Sequence, residues 1–219
     1  MNPADITISI PEKVNTVIET LRQNGHEAYI VGGCVRDSIL GRTPDDWDIT
    51  TSAMPEDVKR LFRRTVDTGI KHGTVTVLIG NEQFEVTTYR IDGDYGDGRH
   101  PDNVVFTSSL KEDLRRRDFT INAMAYSEED GLIDYYDGLG DIDRKVIRAV
   151  GDAEERFTED ALRIMRAVRF SAQLGYSIED KTKEAAGELA GTLTKISAER
   201  INIELTKLLV SPHPGELRT

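Results

Sequence analysis

The sequence predicts an α/β fold, a sheet with covering helices, followed by a region that is helical throughout. Three observations predict it. Ala28 to Val31 is a short continuous apolar run that ends on Gly32-Gly33 and passes into a helical pattern. Thr74 to Ile79 and Phe84 to Tyr89 alternate apolar with polar residues on either side of Gly80-Asn81, which is the pattern of a β-hairpin. From Glu159 to Leu209 the apolar spacing is helical, interrupted only near Gly175 and Ser197.

A chain of 219 residues with 38% hydrophobic content can bury one large core, or a core with an appendage. Repeats and low-complexity segments are absent. The single cysteine, Cys34, rules out an internal disulfide. The net charge of −11 argues against a general nucleic-acid coat protein, although local clusters of Lys and Arg can still bind RNA. No charged-then-apolar leader and no apolar run of spanning length is visible, so the expectation is a soluble cytoplasmic protein with no membrane partner.

Taken in order, Pro11 to Asn24 reads as a helix whose apolar face is Val14, Val17, Ile18 and Leu21, stopped by Gly25. After the apolar strand, the Gly32-Gly33 turn lets backbone approach a ligand, and a helix over Cys34 to Leu40 points its first amides at that turn. Arg36 can add a full charge there. Trp47 to Thr51 reads as a second strand, on which Asp46 and Asp48 project to one side because strand side chains alternate. Two adjacent carboxylates with oxygen-only ligation suit Mg²⁺. Pro55 opens a structural helix through Phe62. Glu85 lies on the hairpin strand expected to run beside the Asp-x-Asp strand, either as a third site carboxylate or as an acid on the solvent face.

Arg90 to Asn103, with Gly93, Gly96 and Gly98 among charged residues, reads as a long loop. Leu110 to Arg117 is a helix ending in three arginines. Leu132 to Tyr135 and Val146 to Arg148 are short strands expected to complete the sheet. In EDALRIMRAVRF, Glu159 to Phe170, the residues Asp160, Arg163, Arg166 and Arg169 recur at a spacing of three on an otherwise apolar helix. Each step of three rotates the stripe by roughly 60°, so these charges cannot all share one surface salt bridge and must be paired or line a cleft.

The order of strand, glycine turn, Arg-bearing helix and Asp-x-Asp strand resembles the nucleotidyltransferase core of the DNA polymerase beta-like superfamily. Within it, VGGCVRDSILGRTPDDWDIT resembles the first signature of class II bacterial tRNA nucleotidyltransferases (CCA-adding enzymes) and their poly(A) polymerase relatives. SLKEDLRRRDFTINA and EDALRIMRAVRF are similar to later signatures of the same family, and SAERINIELTKLL to its last head-and-neck signature. The resemblance implies a nucleotidyltransferase head with a mixed sheet over residues 1–150 and a helical neck over 151–219, with the family's body and tail lying beyond.

By that resemblance the chain adds CMP and AMP from CTP and ATP to the 3′ end of tRNA, with Mg²⁺ as cofactor and pyrophosphate as product. Asp46 and Asp48 would hold the metal and Glu85 would help activate the 3′-hydroxyl. Gly32, Gly33, Arg36 and Arg117 would meet the triphosphate, and Arg166 and Arg169 ribose or phosphate. Asp160 and Arg163 would read the base: a carboxylate accepts from the amino group that cytosine and adenine present and uracil lacks. The long loop stands where the family supports terminal adenosine addition. The alternatives are a poly(A) polymerase and a nucleotide-binding module without turnover.

Overall fold

The computed structural model describes residues 1–93 and 104–214. By its contacts the chain divides into two compact units. Unit 1 holds Met1–Asp92, Val104–Arg115 and Asn122–Tyr135, and unit 2 holds Arg116–Ile121 and the chain from Tyr136 onward. The head and neck expected from sequence part at residue 150, whereas the compact units part at Tyr136. Among the described residues no helix is long and apolar enough to cross a membrane.

Unit 1 opens with α1 (Glu12–Gln23), which buries the four positions its spacing selects: Val14, Val17, Ile18 and Leu21. Each such side chain contributes about 1.5–3 kcal/mol on burial, so this stripe fixes the helix to the unit's core. Then come β1 (Ala28–Val31), α2 (Gly33–Ile39), β2 (Ile49–Thr51), α3 (Pro55–Leu61), β3 (Thr65–Gly69), β4 (Thr74–Ile79) and β5 (Glu82–Thr88). A short pair, β6 (Arg90–Asp92) and β7 (Val104–Phe106), is followed by α4 (Leu110–Arg115), β8 (Met124–Ser127) and β9 (Gly131–Asp134).

Seven of these strands form one sheet in the order β3-β4-β5-β2-β1-β8-β9. β2 and β5 run parallel and the other neighbours antiparallel, so the sheet is mixed. The hairpin of β4 and β5 sets Val77 opposite Phe84, with Gly80 at φ 63° in its turn. Arg90–Asp92, expected as the start of a loop, is instead a strand paired with Val104–Phe106. The remainder of that expected loop, Asp94 to Asn103, lies outside the described residues.

Unit 2 is mostly helical: α5 (Gly138–Arg144), β10 (Val146–Ile147), α6 (Ala153–Glu159), α7 (Leu162–Leu174), β11 (Ser177–Ile178), α8 (Asp180–Leu189) and α9 (Ala198–Leu209). β10 does not complete the large sheet; it pairs parallel with β11, Val146 beside Ser177. Phe119 meets Phe170 edge to face at 5.8 Å. Ala161, Leu162 and Ile196 form a buried cluster with Met165, Leu193 and Ile201 against it.

The single helix expected over Glu159 to Phe170 is broken. Asp160 has φ −141° and ψ 104°, and α7 starts afresh at Leu162. The cause is local: the Asp160 carboxylate accepts from the Leu162 backbone N–H at 3.0 Å, the competition that makes Asp a helix starter rather than an interior residue.

Candidate active site

Unit 1 carries the glycine turn and the carboxylates. β1 is buried at all four positions, and its chain leaves the sheet through Gly32, at φ 83° and ψ −128°. Only glycine adopts that backbone without strain. The Gly32 N–H donates to the Met124 carbonyl at 3.2 Å, which locks the turn onto β8. Gly33 is helical; a Cβ there would meet nothing closer than the Arg36 guanidinium at 3.7 Å. Arg36 is therefore beside the turn, as expected, but buried and held: it donates to both Asp37 carboxylate oxygens at 2.9 and 2.8 Å and to Asn122 Oδ1 at 2.6 Å.

Asp46 and Asp48 are exposed and precede β2, which begins at Ile49 rather than at the expected Trp47. The Val31 N–H still donates to the Asp48 carbonyl at 3.0 Å, so the ladder with β1 extends one residue past the strand. Asp45 and Asp46, residues of low strand propensity, are exposed and lie before the strand. β5 runs beside β2 with Val86 opposite Ile49, which puts Glu85 one residue outward at the same sheet end as Asp48. Its carboxyl pKa is raised above the ordinary 4.5, first by partial burial and then by the charges of Asp48 and Asp46. The three carboxylates thus feel one another. Among the described residues no group of three or more His, Cys, Asp or Glu side chains converges closely enough to enclose a metal ion by itself.

Two further buried groups hold the strands of unit 1. Asp113, fully buried on α4, accepts from Thr50 Oγ1 at 3.0 Å and from the Arg90 N–H at 3.3 Å, tying β2 and β6 to one helix. Cys34 donates to the Val31 carbonyl at 3.4 Å; burial, then the Asp48 charge, pushes its thiol up to about 11. It is a packing residue and no nucleophile at neutral pH.

Unit 2 carries the remaining expected site residues. Arg117 is half-buried. The arginines of the charged stripe are paired with carboxylates, and Arg166 and Arg169 both reach Glu204. Arg163 donates to Glu159 Oε2 at 2.6 Å and to the carbonyls of Arg156 and Arg116 at 3.2 and 3.1 Å. Arg166 donates to Asp118 Oδ2 at 2.7 Å. Arg169, stacked 4.0 Å from the Phe170 ring centroid, pairs with buried Glu204 of α9 and donates to Gln173 at 2.7 Å. Burial draws the Arg169 pKa down while the Glu204 charge opposes the shift.

Asp160 and Arg163 are adjacent, with the Arg163 N–H donating to the Asp160 carbonyl at 2.9 Å, but their side chains have separate partners. The Asp160 carboxylate binds Arg200 of α9 at 2.8 Å. Sequence reasoning missed Asp118, Glu159, Arg200 and Glu204 as partners of the stripe. A signal was available: arginines on a nearly apolar helix need buried acids, and Arg200 and Glu204 recur four apart on a later amphipathic helix.

A mixed sheet that sets a glycine turn and an Asp-x-Asp segment at one end, with a carboxylate on the parallel neighbour, defines a nucleotidyltransferase fold. Residues 28–148 match the poly(A) polymerase head domain, and residues 175–217 match the probable RNA- and SrmB-binding site of polymerase A. The chain belongs to this family of poly(A) polymerases and CCA-adding enzymes. It is 56% identical to the CCA-adding enzyme of Lactiplantibacillus plantarum over 90% of this chain and 49% of that protein. The CCA-adding enzyme of Leuconostoc mesenteroides is also 56% identical, over 91% of this chain and 50% of its own length. Among solved structures, the Bacillus stearothermophilus CCA-adding enzyme in complex with CTP superposes with a TM-score of 0.85 at 48% identity, covering 92% of this chain and 49% of that one. The Thermotoga maritima CCA-adding enzyme complexed with tRNA has a TM-score of 0.76 at 29% identity, covering 94% and 49%. The chain therefore spans about half the length of the relatives it matches.

Proposed function

We propose that this chain is the head and neck of a template-independent tRNA nucleotidyltransferase, which adds CMP and AMP from CTP and ATP to the tRNA 3′ end and releases pyrophosphate. The observation that carries the reading is the placement of Glu85 on β5 beside Asp48 at the end of β2, at the same sheet end as the Gly32-Gly33 turn that follows β1. Three acids crowded at one sheet end repel one another, and a divalent cation relieves that repulsion. An all-oxygen donor set suits Mg²⁺, with Asp46 and Asp48 as ligands. The ion, when bound, neutralises charge developing on the transferring phosphate.

The protein's own contributions are positioning and charge. The Gly32-Gly33 turn, held by the Gly32 N–H on Met124, lets the backbone at the start of α2 approach the triphosphate, and Arg36, fixed by Asp37 and Asn122, lies beside it. Arg117 supplies a further phosphate contact, and Arg166 and Arg169 meet ribose or phosphate. Glu85, with its raised affinity for a proton, accepts from the attacking 3′-hydroxyl. Asp160 selects the base together with Arg163. The Asp160 oxygens already serve Leu162 and Arg200, yet each carboxylate oxygen keeps a lone pair for an amino donor of cytosine or adenine.

The test is incorporation of labelled CTP and ATP into tRNA lacking its 3′ end, with circular dichroism on every variant. Asp46→Ala and Asp48→Ala should each abolish addition and leave the spectrum unchanged; near-native addition by either variant overturns the metal assignment. A product extended by adenosines alone would indicate a poly(A) polymerase. Nucleotide binding without addition would indicate a binding module.

A further inference from the structure

The row that carries the carboxylates runs on to the outer edge of the sheet. Asp48 lies beside Glu85 by the parallel register of β2 and β5, Glu85 is opposite Thr76 of β4, and Thr76 is opposite Val66 of β3. Residues paired in this way present their side chains to one face. The contacts agree: the Thr68 and Thr76 hydroxyls meet at 2.8 Å on this face, while Asp67, turned to the other, takes Lys59 of α3 at 2.9 Å. β3 is the last strand, and Val66 is 47% exposed. From β5 to β3 is two strand spacings, about 10 Å.

Just ahead of β3 stand Arg63 and Arg64, both exposed. The Arg64 carbonyl accepts from the Leu78 N–H at 3.0 Å, so the pairing of β3 with β4 continues through Arg64 and sets it two residues from Val66 on the same face. The acids of this region are engaged elsewhere: Asp67 with Lys59, Asp57 with Arg60 at 2.6 Å and Glu82 with Lys13, while Glu56 adds its charge to Lys59. Among the described residues neither Arg63 nor Arg64 has a carboxylate partner, in a chain with 39 acids to 28 Lys and Arg. The acids of the row itself, Asp48 and Glu85, are those of the site. An exposed guanidinium beside a small apolar side chain fits one phosphate of a strand and the sugar next to it.

We infer that the β3 edge, with Arg64 as a phosphate contact and Val66 beneath the sugar, holds the RNA strand just upstream of the 3′-hydroxyl that reaches Asp46, Asp48 and Glu85. The inference rests on the proposed function and adds to it the side from which the RNA enters unit 1. Sheet order supports that side. The Gly32-Gly33 turn assigned to the triphosphate follows β1, and β3 lies beyond the carboxylates in the opposite direction. In-line transfer needs the attacking and leaving oxygens on opposite sides of the phosphorus, so a triphosphate on the β1 side calls for a strand on the β3 side.

The experiment measures binding of a fluorescent single-stranded oligoribonucleotide ending in C by anisotropy across salt concentrations, and incorporation of labelled CTP into it, on the full chain with Mg²⁺. Arg64→Ala should weaken oligonucleotide binding about fivefold and lower the slope of log affinity against log salt by about 0.7, one phosphate contact on a single strand, and Arg64→Lys should keep the slope. Val66→Asp should weaken binding at least as much, because it sets a negative charge where the strand lies. Lys71→Ala, which removes the same charge from an exposed position past the far end of β3, should change neither quantity. The KM for CTP should be unchanged in all four variants. Wild-type binding by Arg64→Ala or Val66→Asp, an equal loss in Lys71→Ala, or a raised KM for CTP in Arg64→Ala overturns the assignment, as does failure of the wild-type chain to bind the oligonucleotide. Weakened binding in Arg64→Ala and Val66→Asp, with no CTP incorporation by the wild-type chain, would leave the strand contact standing and remove the proposed activity.

Discussion

Replacing Asp160 with alanine removes three interactions at once, and their sizes follow from the geometry. The carboxylate that accepts from the Leu162 N–H starts α7, and loss of such a cap costs about 1 kcal/mol. Arg200, with only 20% of its side chain exposed, loses its carboxylate partner, a further cost of about 1–3 kcal/mol. Asp160→Ala should therefore lower stability by about 2–4 kcal/mol, while Asp160→Asn, which keeps an acceptor for Leu162, should lose about half as much. The third interaction is the proposed one with the base. An asparagine amide can accept from an amino group but can also turn its NH₂ toward the uracil carbonyl, so Asp160→Asn should narrow the preference for CTP over UTP by about tenfold or more. Urea unfolding of the chain measures the first two effects, and kcat/KM for CTP, ATP, UTP and GTP the third. Unfolding of Asp160→Ala within about 0.5 kcal/mol of wild type would refute the cap and ion-pair assignment. Unchanged selectivity in a folded Asp160→Asn would refute base choice by this carboxylate.

Glu85 gives a pH-dependent expectation. Its folded pKa lies above the ordinary 4.5, so its contribution to stability is complete below that value and is lost as pH rises through the folded pKa. Glu85→Gln should thus be more stable than wild type at pH 7 without Mg²⁺, the difference vanishing below about pH 4.5, as followed by thermal unfolding against pH. Gly32→Ala should cost about 1–3 kcal/mol in urea unfolding because of its positive φ, whereas Gly33→Ala should fold normally and raise the KM for CTP. Cys34 should resist a thiol reagent at pH 8 until denaturant is added, its reaction rate tracking unfolding.

Much of unit 1 was legible because its signals are local. The buried run of β1, the glycine turn, the amphipathic face of α1 and the alternation around Gly80-Asn81 each state their structure within a dozen residues. β3 was not foreseen: Thr65–Gly69 is polar and largely exposed, and is a strand only because β4 offers it an edge. β10 was placed in the wrong sheet because its partner Ser177–Ile178 is two residues long and lies across two helices. The charged stripe was expected to be paired or to line a cleft; its side chains have carboxylate or arginine partners, and the partners Glu204 and Arg200 lie on α9, far along the chain, where spacing alone suggests them without matching each to its mate. The break at Asp160 was missed because helical composition on both sides outweighed one residue's side-chain bond to backbone.

β1 sits inside the large sheet, yet its two neighbours come from very different places in the chain: Ile30 pairs with nearby Ile49 on one side and with Tyr126 on the other. During synthesis on a ribosome, β1 through β5 can assemble as soon as the hairpin emerges, but one edge of β1 stays open until β8 has been made. That edge is four wholly buried residues, Ala28 to Val31, among the most aggregation-prone surfaces the nascent chain exposes. So distant a pairing closes slowly, and it exposes the β1 edge for longer than the local pairing with β2 does.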